Sequence, residues 1–128
     1  MDPPLDFGWG IYAMEHFGSG NWYFLKSYVY PTAGQWYHVC YVRSDKDNNN
    51  NSCAPNMCRY LYVNGTVAAS DTGSLAYNIS TTYPMIIGKR PDNVSYLNGY
   101  LDEVMVFNRA LTQSEVRQLM MGFMPTEY

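Results

Sequence analysis

Carboxylates, imidazoles, thiols and glycosylation sequons are the groups in this chain that could do chemistry, and their spacing decides which chemistry is open. The adjacent acidic pair Asp102-Glu103 sits in a stretch rich in alternating apolar residues. On a strand, neighbouring side chains point to opposite faces. The two carboxyls therefore cannot flank one bond, as a glycosidase pair about 5 to 9.5 Å apart must. His16 and His38 fall on different predicted strands with no obvious Ser, Cys or Asp partner. A lone strand histidine is more often a packing residue than a base. The sequence also lacks a glycine-rich phosphate loop and a paired metal-ligand motif. These readings argue against an enzyme.

Cys40, Cys53 and Cys58 do not form a metal set, because C-x4-C with one distant thiol and two scattered His lacks paired ligand spacing. Cys53 and Cys58 are expected to bond to each other. The four residues between them, Pro55 included, can close a small ring that pins the Asn-rich excursion. Cys40, inside a strand, would stay a buried thiol; the competing pairing is Cys40 with Cys58 across the hairpin. N-x-[ST] occurs at Asn50, Asn64, Asn78 and Asn93, all expected on exposed loops or turns that a glycosyltransferase can reach. At least one is expected to carry N-linked glycan, which points to a secreted or cell-surface glycoprotein.

Two further sets are binding candidates. Asp71, Asp92 and Asn93 lie in predicted loops and could offer oxygen ligands to Ca²⁺. Loop Asp and Asn more commonly serve turn formation, so no cofactor is assigned and Ca²⁺ stays a candidate only. Tyr12, Tyr23, Tyr28 and Tyr30 are candidate ligand-binding rings, because the C–H faces of sugars stack on aromatic planes. Ordinary sheet packing is the competing reading for each of them.

The elements that must position these groups come from a chain of 128 residues, the length of one domain. Apolar residues make up 47%, enough for a core, and charged residues only 15%, against about 25% in an ordinary soluble domain. Disorder is excluded as the main state. The 13 Tyr, 3 Trp and 5 Phe favour strands. A net charge of -3 with no basic block offers no face to a nucleic acid. No apolar run approaches the ~20 residues of a membrane span.

Period-two patterns predict a strand within Leu5 to Phe17, a turn at Gly18-Ser19-Gly20-Asn21, and a second strand over Trp22 to Tyr30. Trp36 to Arg43 is predicted as a strand, and Ser44 to Met57 as a long loop. Arg59 to Val63 and Thr66 to Ala69 are read as a hairpin about Asn64-Gly65, the dipeptide that tolerates positive φ at both turn positions. Pro84 to Gly88 is read as a short buried strand and Gly99 to Phe107 as a long one covered on both faces. A helix follows Thr112: T-x-x-E with Glu115 is a capping box, Leu111 can staple onto Val116, and Val116, Leu119 and Met120 share a face. Gly122 marks its end.

In order, Gln35-Trp36-Tyr37-His38-Val39, Leu61-Tyr62-Val63-Asn64-Gly65, Ile86-Ile87-Gly88 and the run Gly99 to Thr112 with Glu115 and Val116 form a set. Together they resemble the laminin-G-like branch of the concanavalin A-like lectin/glucanase superfamily. The resemblance implies an all-β, antiparallel two-sheet jelly-roll sandwich, here with one short C-terminal helix. It also implies opening strands paired beside Gly99 to Phe107, which are not visible upstream of Gln35. Residues 1-128 are therefore expected to be a single laminin-G-like domain incomplete at its N-terminus, part of a longer chain or docked on a neighbour. Trp36, Asp102, Thr112 and Glu115 are expected in structural roles, Asp102 by bonding loop amides where its strand leaves the loop.

The function expected is a non-catalytic, lectin-like recognition or adhesion module outside the cell, binding glycan or extracellular protein. The alternative is a structural domain of an extracellular assembly such as a filament or sheath, and a degenerate glycoside hydrolase ranks last. No nucleic-acid partner and no membrane insertion in this segment are expected.

Overall fold

A computed structural model describes residues 10–16, 22–72, 84–89 and 95–125. The expected turn at Gly18-Ser19-Gly20-Asn21, the sequons at Asn78 and Asn93, and Asp92 lie outside the described residues. The elements are β1 (Tyr12–His16), β2 (Trp22–Lys26), β3 (Val39–Ser44), β4 (Cys58–Val63), β5 (Thr66–Thr72) and α1 (Gln113–Met120). They make two antiparallel sheets, a β1-β2 pair and a three-stranded sheet in the order β3-β4-β5.

Local chemistry explains the tight connections. Asn64 and Gly65 stand at φ 52° and 76°, and Val63 pairs with Thr66 across them, as a two-residue hairpin with a right-handed twist requires. The Gly65 carbonyl accepts from Arg117 Nε of α1 at 3.1 Å, which ties the helix to the turn. The longer β3–β4 connection is built around Asp47, whose carboxylate accepts the N–H of Asn49 at 2.9 Å and of Asn51 at 2.8 Å. At its far end a disulfide joins Cys53 to Cys58.

Central strand β4 is buried along its whole length and separates two different interiors. On one face Cys58, Tyr60 and Tyr62 join Val42 of β3 and meet Leu111 and Val116, so α1 covers this side. Burying an aliphatic side chain such as Val116, which is fully inaccessible, stabilises the fold by about 1.5 to 3 kcal/mol. Arg59 and Leu61 alternate to the opposite face, where Arg59 and Arg43 meet Glu15 of β1. Hairpin β1-β2 thus lies over one face of the three-stranded sheet and the helix over the other.

The helix begins where its sequence says it should. Thr112 accepts the N–H of Glu115 at 3.2 Å while Glu115 accepts the N–H of Thr112 at 2.8 Å, a complete capping box. Arg109 donates to both oxygens of Glu115, at 2.8 and 3.0 Å. That guanidinium, followed by the Thr112 N–H, holds the Glu115 carboxyl below the usual carboxylate range. A depressed folded-state value stabilises the fold above the unfolded value, about 4.3, and the contribution is lost as pH falls through the folded value. Glu115→Gln is therefore expected to be less stable than the native chain above pH ~5. The gap should close in acid, as read by urea denaturation at a series of pH values.

Two predicted strands are not formed. Pro84 to Gly88 and Gly99 to Phe107 have no regular structure, and an isolated bridge from Lys89 to Tyr96 lies between them. Ile87 and Val106 are 53% and 73% exposed. A strand exists only in a ladder, and among the described residues none pairs with 100–107. Glu103, at φ 50°, also breaks the alternation that would give the segment two covered faces. The strand expected from Trp36 begins instead at Val39, and that expected to reach Tyr30 ends at Lys26.

Candidate functional site

The connection from β2 to β3 is held at its base and open at its tip. Ile11 donates its N–H to Val29 O at 2.8 Å, Ser27 returns its N–H to Ile11 O at 3.1 Å, and Ser27 Oγ accepts the Val29 N–H at 3.0 Å. Gly10 is required at this junction, since a Cβ there would come within 2.2 Å of Val29 O. Between these bonds Tyr28 takes φ 57°, a left-handed conformation costing a non-glycine residue about 1 to 2 kcal/mol. A second tie lies further on. Gln35 donates its N–H to Thr32 O at 3.3 Å, with Gly34 at φ 81°, as a type II turn requires. Tyr37 Oη accepts the Thr32 N–H at 2.9 Å, and hydrogen bonding with the Thr32 side chain, then with this N–H, lowers the Tyr37 phenol below its ordinary value.

These backbone anchors leave three large rings in solvent. Tyr28, Tyr30 and Trp36 are 62%, 57% and 69% exposed. Holding them on a bonded loop reduces the ordering cost a ligand would otherwise incur on binding.

The four tyrosines singled out from the sequence do not share a face. Tyr12 is half-buried, its ring 6.0 Å from Phe24 at 55°. Tyr23, facing Glu15 across the hairpin, lies under the Arg59 guanidinium, 4.4 Å from it. Only Tyr28 and Tyr30 lie on the β2–β3 connection, and Trp36, expected inside a strand, lies on it too. The turn residues Pro31 to Gly34 just before Trp36 were the signal that could have placed it on a loop.

Under the hairpin lies a charged cluster that the sequence reading missed. Glu15 and Arg59 are 6% and 2% exposed. Glu15 meets Arg43 Nε at 3.0 Å and Arg59 Nη1 at 3.6 Å, and accepts from the Tyr41 hydroxyl. Arg59 also pairs with Asp71. Burial, and then the bond to Glu15, push the Tyr41 phenol well above its ordinary value. Two carboxylates facing two guanidiniums make a neutral lock between sheets, and Asp71, weighed as a Ca²⁺ ligand, is turned to Arg59.

Among the described residues no group of His, Cys, Asp and Glu is placed to hold a metal ion. Asp102 accepts the Glu103 N–H at 2.8 Å on an exposed stretch. His38 is half-buried and its backbone pairs with Asn64, whose Oδ1 accepts the His38 N–H at 3.0 Å. Asn50 and Asn64 are exposed at φ 67° and 52°. Cys40 is a free, half-buried thiol, and burial pushes its pKa up.

Antiparallel sheets with a late helix, the architecture of the described residues, agree with what a family comparison finds. The laminin-G-type family model of the concanavalin A-like lectin/glucanases superfamily matches residues 8–117. The chain belongs to this superfamily. Among solved structures, this superfamily member is similar in fold to a crystal structure of an S-layer domain-containing protein, residues 221-444, from Clostridium thermocellum. The two are 22% identical with a TM-score of 0.55, over 94% of this chain and 67% of that one. No curated protein matches the chain significantly in sequence.

Proposed function

We propose that this concanavalin A-like domain is a non-catalytic recognition module of a secreted or cell-surface glycoprotein, with its sheets part of a jelly-roll sandwich. The loop between β2 and β3 carries the reading, because it presents Tyr28, Tyr30 and Trp36 to solvent from an anchored backbone. Exposed aromatic planes held in this way suit the C–H faces of a glycan, and an extracellular setting accords with sequons at exposed Asn50 and Asn64. The S-layer name of the similar structure supports the same setting, and a structural role in an extracellular assembly is the second reading it favours.

A glycan array with the native chain tests the main reading, followed by titration calorimetry on Tyr30→Ala and Trp36→Ala. Each lost ring is expected to weaken binding by about 3- to 10-fold, the equivalent of one aromatic contact. An array without a binder, or affinities unchanged in both variants, would overturn it.

A further inference from the structure

Residues 37–43 and 101–111 face each other across an open groove of about 720 Å³. Every residue from Tyr37 to Arg43 contributes to its wall. Since alternate side chains point to opposite faces, such a continuous run means that the backbone edge of β3 lines the groove. β3 is the edge strand in the order β3-β4-β5.

Register shows which backbone groups look outward. Val63 closes the two-residue hairpin with Thr66, so its N–H and C=O serve β5. Asn64 donates its N–H to His38 O at 2.8 Å, and Cys40 and Val42 stand opposite Tyr62 and Tyr60. Antiparallel alternation then turns the N–H and C=O of Val39 and Tyr41 away from β4, into the groove.

The opposite wall is apolar with an acidic rim. Leu101, Val104, Met105 and Val106 are 45% to 73% exposed. Among the described residues Asp102 and Glu103 have no basic partner, whereas Arg43 and Arg109, also lining the groove, are paired with Glu15 and Glu115. The groove therefore offers alternating backbone donors and acceptors on one side, apolar side chains on the other, and two carboxylates that no basic group among the described residues neutralises. A compact polar ligand matches none of this arrangement in full. An extended peptide bearing a basic residue matches all of it.

We propose that the groove binds an extended strand of another polypeptide, paired with β3 through Val39 and Tyr41. Its alternate apolar side chains lie against Val104 and Val106, and a Lys or Arg lies at Asp102 and Glu103. The wall from Tyr37 to Arg43 is long enough for a strand of roughly seven residues at ~3.3 Å each. This site does not depend on the aromatic loop, and glycan binding can fail without affecting it.

The probe is a labelled peptide, Lys-Val-Thr-Val-Lys-Val-Thr, titrated with the 128-residue chain and followed by fluorescence anisotropy. Saturable binding is expected. Val39→Pro removes an outward N–H at the first strand position, where proline is tolerated, and should weaken binding tenfold or more. Asp102→Lys, at an exposed site, should weaken the lysine peptide and favour one carrying Glu in place of Lys. No binding at millimolar peptide, or binding indifferent to both substitutions, overturns the proposal. So does self-association of the chain that Val39→Pro abolishes, because a second copy would then occupy the groove.

Discussion

Arg59→Ala is expected to cost about 3 to 5 kcal/mol, the range for removing one partner of a buried ion pair. Out of the 5 to 15 kcal/mol typical of a domain, such a loss brings the chain close to its unfolding threshold. The guanidinium meets Glu15 at 3.6 Å, pairs with Asp71 and covers the ring of Tyr23, and its side chain is 3% exposed. Without it, one of the two positive charges that balance Glu15 and Asp71 is gone. Arg43 remains against Glu15, but Asp71 loses its Arg59 partner. Urea denaturation of native and variant chains gives the difference directly. A cost below about 1 kcal/mol, the value of a surface pair, would show that water already reaches the cluster. Arg59→Lys would separate charge from geometry: a lysine keeps the charge yet cannot fork between two carboxylates.

Tyr62→Ala is expected to cost a similar amount, about 3 to 5 kcal/mol, for a different reason. Tyr62 is fully buried between the β-strands and α1, its ring 6.1 Å from that of Tyr60. Truncation would leave a cavity in a layer that rests on few side chains, Val42, Leu111 and Val116 among them. Tyr62→Phe retains the ring and gives up only the hydroxyl contacts with Asn48, both 3.3 Å. Its cost should be about 1 kcal/mol, the net value of one hydrogen bond. Thermal or urea unfolding of the pair distinguishes volume from hydrogen bonding. Equal losses in the two variants would mean that the Asn48 contact, and not packing, holds the long loop and the core together.

The sequence alone determined the features whose partners lie a few residues apart. The capping box needs only Thr112 and Glu115, the β4–β5 turn only Asn64 and Gly65, and the Cys53–Cys58 ring spans five positions. In each case the interaction energy resides in neighbours along the chain, so spacing and residue type suffice. Family membership was legible for a related reason, because it rests on ordered short motifs such as Leu61 to Gly65 and the run leading to Thr112. Features that depend on distant chain segments were decided by tertiary structure. Gly99 to Phe107 carries a strand-like pattern, yet a ladder needs a second backbone, and among the described residues none is paired with it. Nothing in the spacing of Glu15 and Arg59 marks them as partners; hairpin β1-β2 lying across β4 brings them together, where desolvation makes each the other's required partner. Trp36 followed the apolar alternation of β3, but the turn at Thr32 to Gln35 holds it outside the ladder. Alternation records which faces a segment could bury, while the surface that covers each face is supplied by the rest of the fold.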